Sequence, residues 1–203
     1  MKHKLIIIVF LVFSVLFCNA QNANTIMSRV IDRYTSAKNI SADFELSSSQ
    51  MKVDGNIVMN GMKFRILAND FKCWYDGKNQ WLYTIVTKEV NILEPAREEL
   101  EASNPYLAVM RYNTKYRAVL KSNRTTNYVV ELISKNPYVD MTNILLTIDK
   151  NSYQITEAEA IMIDGGKQTI KFGNYVLNAK LPAETFVFDS TLVPAGTQVI
   201  DLR

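Results

Sequence analysis

The chain has 203 residues, 48% of them apolar, enough to bury a sizeable core and too apolar for a disordered tail. Lys and Arg total 23 against 20 Asp and Glu, and setting Lys2 and Lys4 aside as part of a leader leaves 21 − 20, or +1. So small a balance gives no electrostatic case for nucleic acid or for an anionic membrane surface, which are drawn by concentrated positive charge.

Residues 1–20 read as a secretory leader. Lys2 and Lys4 precede an apolar run from Leu5 to Phe17, broken only by Ser14, and the run closes on Cys18-Asn19-Ala20 before Gln21. The run is short for a bilayer span, which takes about 20 apolar residues. Phe17 is larger than a lipidation signal wants just before its cysteine. The expectation is therefore cleavage after Ala20 and export of a soluble domain, 21–203. Cleavage removes Cys18 and also His3, the one histidine of the chain. Cys73 is then the only thiol, so no internal disulfide forms, and a His-containing triad or His-ligated metal site is excluded. Cys73 lies in the apolar run Phe71 to Tyr75 and is expected to pack as a small hydrophobe.

The first predicted element is a helix near residues 25–37, capped by Asn24, in which Ile26, Met27, Val30, Ile31 and Tyr34 recur at helical spacing. After Lys38 the period changes to two. Strands are predicted near 40–48, 52–60, 62–69, 71–76, 80–85, 89–94, 116–122, 126–135, 141–149, 153–163, 167–177 and 185–189. The connections are short, as in Asp76-Gly77-Lys78-Asn79, Asp149-Lys150-Asn151 and Asp164-Gly165-Gly166. Turns this tight join antiparallel neighbours. Between Pro95 and Tyr112 the alternation stops: a helical turn follows Glu94, then Asn104 caps a second one with Pro105 at its first position and Tyr106, Leu107 and Met110 as its apolar stripe. The predicted fold is mostly β with a few helices, a single curved antiparallel sheet of about eleven strands.

That sheet carries more large apolar groups than so few helices can cover. Either side chains fill a small barrel, or the sheet leaves a concave apolar cavity with the helices as a partial lid. Periodicity does not choose between them. No paired acid and base, phosphate loop or nucleotide fingerprint is present, and Glu98, Glu99 and Glu101 read as a solvated helix face. The chain is not read as an enzyme, and no cofactor or metal is expected.

The order of features resembles the LolA family of periplasmic lipoprotein carriers through nearly all of the mature chain. Trp74-Tyr75-Asp76-Gly77-Lys78-Asn79-Gln80-Trp81-Leu82-Tyr83 resembles the family's Asp-Gly-Lys hairpin and aromatic strand. Ser41-Ala42-Asp43-Phe44 is similar to the strand after the first helix, Gly55-Asn56-Ile57-Val58-Met59 to the glycine-led second strand, and Asn104-Pro105-Tyr106-Leu107 to the central helix. Phe186-Val187-Phe188 resembles the terminal strand, and Pro194-Ala195-Gly196-Thr197-Gln198-Val199-Ile200-Asp201 the tail.

The resemblance implies an unclosed β-barrel in the periplasm whose apolar face, under a helical lid, shelters the acyl chains of lipoproteins between the inner and outer membranes. It implies as partners acylated lipoproteins, an inner-membrane lipoprotein-releasing transporter and an outer-membrane acceptor, for a chain read as a monomer. Phe44, Ile57, Met59, Phe64, Ile66, Trp81 and Tyr83 are the expected wall. Tyr106, Leu107 and Met110, with Ile26, Val30 and Tyr34 of the first helix, are the expected movable side. A one-residue slip in a strand would reverse its assignments. The family's Arg-Pro pair after the second strand, whose arginine holds the lid, is replaced by Asn60-Gly61-Met62; Arg65 and Lys63 are the nearest cations. The alternative is a periplasmic lipid or lipopeptide sensor with the same fold.

Overall fold

A computed structural model of the chain describes residues 23–96, 99–100 and 104–203. The leader and its cleavage point lie outside the described residues, as does most of the helical turn predicted after Pro95.

Helix α1 spans residues 23–36. It already includes Ala23, so Asn24 is a helical residue and not the cap, and its Oδ1 accepts from the Tyr112 hydroxyl at 3.4 Å. Eleven strands fall where the alternation places them: β1 Ile40–Ser48, β2 Lys52–Asn60, β3 Lys63–Ala68, β4 Phe71–Tyr75, β5 Gln80–Thr84, β6 Glu89–Leu93, β7 Tyr116–Asn123, β8 Asn127–Ser134, β9 Met141–Asp149, β10 Ile155–Met162 and β11 Lys167–Leu177. Among the described residues between β6 and β7 are two short helices, α2 Pro105–Met110 and α3 Tyr112–Lys115, and residues 99–100 are also helical.

The three Asp-led turns have one cause. Asp76 Oδ1 accepts from the N–H groups of Lys78 and Asn79, both at 2.8 Å. Asp149 Oδ1 accepts from those of Asn151 and Ser152, and Asp164 Oδ1 from that of Gly166. A short carboxylate side chain mimics a backbone turn in each hairpin, while Gly77 and Gly165 take positive φ, +105° and +85°.

Two expectations are corrected. Residues 185–189 are not a strand: Ala183–Phe186 is a 3₁₀ turn in which the Pro182 carbonyl accepts from both the N–H and the hydroxyl of Thr185. These local bonds compete with a ladder. The last strand is instead β12, Gln198–Asp201, and it runs parallel to β6, whereas β1 to β6 pair antiparallel with one another. A parallel pair needs a long connection between its two strands, and residues 94–197 lie between β6 and β12.

The hydrogen-bonded order is β12-β6-β5-β4-β3-β2-β1-β11-β10-β9-β8-β7. It is one curved sheet of twelve strands that is not closed, with its edges at β12 and β7, accompanied by helices and antiparallel but for the edge pair β12 and β6. By contacts the chain divides into two compact units, one taking residues up to Arg33 with Tyr112–Lys167, the other Tyr34–Arg111 with Gln168–Arg203. In the first, Ala118, Val130, Leu132, Leu146, Ile148 and Ile155 of the meander β7–β10 are buried, as are Ala23, Ile26, Met27 and Val30. Its other face mixes polar and apolar groups: Glu131 pairs with Lys121 at 3.2 Å and accepts from Asn143 at 2.7 Å, while Val119 and Leu145 flank Glu131 and Ile133 and Ile161 flank Asn143.

The second unit buries apolar residues on both faces of its sheet, and these are described next.

Candidate functional site

Registers sort the strands of the second unit into two faces. Ile40 lies opposite Met59, Met59 opposite Phe64, and Phe64 opposite Tyr75. Beside that row run Ala42, Ile57, Ile66, Cys73 and Leu82, and then Phe44, Gly55 and Ala68. Partners across a ladder point to the same face. One face of β1–β4 is therefore continuously apolar. Phe44, Ile57, Met59, Phe64 and Ile66 come together on it, with Ile57, Met59 and Phe64 buried and Phe44 and Ile66 half-buried. On the other side of β1, Phe172 of β11 stands opposite Phe44 and extends the same face.

Gly55 shapes this face by absence. A Cβ there would come within 2.6 Å of the Leu67 carbonyl oxygen, 2.8 Å of the Phe44 ring and 2.9 Å of the Ala68 Cα. The Phe44 ring lies over the glycine, which leaves it flat along the sheet. That is the physical reason for a glycine in β2.

Trp81 and Tyr83 do not share the face. Tyr75 pairs with Gln80 across the Asp76–Asn79 turn, so Trp81 stands opposite Trp74 and Tyr83 opposite Lys72, on the reverse of the sheet. Trp74, Tyr83 and Val90 form a buried cluster there, with Leu67, Trp81, Phe188, Leu192 and Val193 packed against it. Trp74 and Phe188 meet edge to face, ring centroids 5.4 Å apart. The wall expected from sequence thus divides: five residues on one face, and two on the face covered by the segment after Pro182. All three residues of Trp81-Leu82-Tyr83 are apolar, so alternation alone could not assign them. The length of the preceding turn was the available signal.

The residues expected to form the movable side also divide. Ile26 and Val30 are buried residues of the first unit, and Tyr34 is a buried residue of the second. The Tyr34 hydroxyl lies 3.4 Å from that of Tyr175 on β11. Burial pushes the Tyr34 hydroxyl above its ordinary pKa, with the bond to Tyr175 opposing; burial also raises Tyr175, and Tyr34 adds to it. Both are neutral donors and acceptors at ordinary pH. Tyr175 follows a kink at Asn174, which has φ +50° and donates to Asp43 at 2.8 Å. Such an irregularity re-aims the side chains beyond it.

In α2, Tyr106, Leu107 and Met110 are half-buried and Val109 is buried. Asn104 caps the helix, accepting at Oδ1 from the N–H groups of Tyr106 at 3.0 Å and Leu107 at 3.4 Å. Its side-chain amide also donates to the Met62 carbonyl in the β2–β3 turn at 2.7 Å. Asn104 is 1% exposed. The cap was legible in the sequence; the reach to Met62 was not. Arg65 stands opposite Trp74, on the reverse of the sheet, where burial lowers its pKa and Asp189 opposes that shift.

Cys73, in the second row of the apolar face, is buried, and burial pushes its thiol up to about 12. It is no nucleophile at neutral pH. Among the described residues no three His, Cys, Asp or Glu side chains come together to hold a metal ion, and no helix is long and apolar enough to cross a membrane. A cavity of about 500 Å³ opens elsewhere in the second unit, lined by Gln80, Leu93, Glu94, Pro95, Glu99, Leu202 and Arg203. Its lining mixes polar and apolar groups and includes none of the expected wall or lid residues.

The family described as outer membrane lipoprotein carrier protein LolA matches residues 13–165. No match was found among curated proteins. Among solved structures the fold is similar to an uncharacterized conserved protein from Thermus thermophilus, with TM-score 0.61 and 12% identity over 89% of this chain and 99% of that one. It is similar to MucB, with TM-score 0.51 and 10% identity over 89% of this chain and 66% of that one. A LolA superfamily protein from Nitrosomonas europaea also matches, with TM-score 0.41 and 11% identity over 82% and 97%. At these identities the likeness is one of fold.

Proposed function

Because the chain belongs to the outer membrane lipoprotein carrier protein LolA family, we propose that it is a periplasmic carrier that holds lipoprotein acyl chains against the apolar face of β1–β4 and shuttles them from the inner to the outer membrane. The observation that carries this reading is the family match over residues 13–165. The apolar face supplies a physical means. Each methylene moved into water costs about 0.8 kcal/mol, so an acylated protein leaves a membrane readily only if an equally apolar wall receives it.

In this reading Phe44, Ile57, Met59, Phe64 and Ile66 form the wall, and Tyr106, Leu107 and Met110 move with α2. Release needs an empty state that closes favourably, so that lid contacts compete with cargo. The bond from Asn104 to Met62 is a contact of the right kind, because it ties α2 to the β2–β3 turn. Residues 1–20 direct export and are removed, a transporter in the inner membrane loads the carrier, and an acceptor at the outer membrane unloads it. The work is binding and not catalysis.

The test has two parts. Lipids extracted from the purified protein are identified by mass spectrometry, and the protein is added to inner-membrane vesicles carrying a lipoprotein and its releasing transporter. A carrier brings acylated protein into the soluble fraction. A sensor binds lipid and leaves the lipoprotein on the vesicles, and a filled barrel yields no lipid.

A further inference from the structure

Strand β7 is one of the two edges of the sheet and pairs only with β8 among the described residues. The Lys135 N–H donates to the Lys115 carbonyl at 2.9 Å, which makes that pair a hydrogen-bonded one. Such pairs alternate with non-bonded ones along an antiparallel ladder. Counting on through the register, Tyr116, Ala118 and Leu120 turn their backbone N–H and C=O groups away from β8, toward the open edge. An edge of this kind is a template for another strand.

The edge is also the most one-sided stretch of charge in the chain. No Asp or Glu occurs between Glu101 and Glu131, while β7 and its flanking turns carry Lys115, Arg117, Lys121 and Arg124, all exposed. Lys121 reaches Glu131 at 3.2 Å. Concentrated cations beside backbone groups turned to the edge suit an extended chain bearing carboxylates. The same cations oppose a second copy of this chain, because an edge-to-edge pairing of two β7 strands would bring them together. Near the far end, the irregularity between Leu120 and Ser122 limits how long an added strand can be.

We infer that the β7 edge is a docking surface for an extended acidic segment of a partner protein, which adds to the sheet as a thirteenth strand. The inference is independent of what occupies the apolar face, and its readout involves no lipid.

The experiment measures fluorescence anisotropy of two labelled decapeptides, one alternating Glu and Val and one alternating Lys and Val, titrated with the purified protein. The acidic peptide is expected to bind at least tenfold more tightly, and more weakly as salt is raised. Ala118→Pro removes an edge-facing N–H, and is expected to weaken binding at least tenfold. Arg117→Glu with Arg124→Glu tests the charges without touching the backbone and is expected to do the same, while Arg117→Lys keeps the affinity. Circular dichroism establishes that each variant is folded. No binding of either peptide, equal binding of both, or acidic-peptide affinity unchanged in both Ala118→Pro and the double charge reversal overturns the inference. So does a dimer in sedimentation that Ala118→Pro dissolves, because the edge would then belong to a second copy.

Discussion

The Asn104 side chain joins two elements at once: its amide donates to the Met62 carbonyl at 2.7 Å while its Oδ1 caps α2. Because the residue is 1% exposed, neither bond can be replaced cheaply by water. Asn104→Ala loses a cap worth about 1 kcal/mol and leaves the Met62 carbonyl without its partner, a further cost of about 1–3 kcal/mol. Asn104→Ser keeps a capping oxygen but is too short to reach Met62. Chemical denaturation is expected to order the three proteins wild type, Ser, Ala. Equal loss in Ser and Ala would mean that the cap contributes nothing.

The Tyr34 and Tyr175 hydroxyls share a buried site, and both have pKa values raised above the ordinary 10.0, chiefly by burial. In the unfolded chain these phenols lose their protons first as pH rises. Their contribution is therefore fully present below about pH 10 and is lost as pH rises through the higher folded values. Melting temperatures measured from pH 8 to pH 11 are expected to fall less in Tyr175→Phe than in the wild type. Parallel curves would show that the pair does not govern alkaline stability.

Phe188 holds the segment after Pro182 against the back of the sheet through its edge-to-face contact with Trp74. Phe188→Ala loses about 1 kcal/mol from the ring pair beyond the area it buries. Hydrogen exchange is expected to quicken across the cluster with Tyr83 and Val90 and along β12, while β1 and β2 keep their protection. Uniform loss of protection would instead indicate one cooperative unit.

Cys73 is buried, with its thiol pushed up to about 12. In protein beginning at Gln21, alkylation by iodoacetamide at pH 8 is expected to proceed only as the protein opens. It should accelerate in parallel with unfolding when denaturant is added. Rapid labelling of the folded protein would show that this row of the face opens in the native state.

Much of the architecture could be read from the chain because period-two alternation and Asp-led turns are local signals. Eleven strands lie within a residue or two of where they were expected. The errors came where local and distant interactions compete. Phe186 and Phe188 alternate like a strand, yet Pro182 and Thr185 close a 3₁₀ turn and the Phe188 ring is held by Trp74, which lies far away in sequence. Likewise Trp81 and Tyr83 fell on the reverse face because three consecutive apolar residues give no parity, and only the turn fixes the register. The reach of Asn104 to Met62 depends on a contact 42 residues away; spacing alone gives no sign of it.

The most direct measurement of the central claim is photo-crosslinking of a lipoprotein that carries a diazirine in its acyl chain, with the adducts located by mass spectrometry. Adducts on Phe44, Ile57, Met59, Phe64 or Ile66 are predicted, with none on Trp81 or Tyr83. Adducts confined to Trp81 and Tyr83, or none on the sheet at all, would contradict the account.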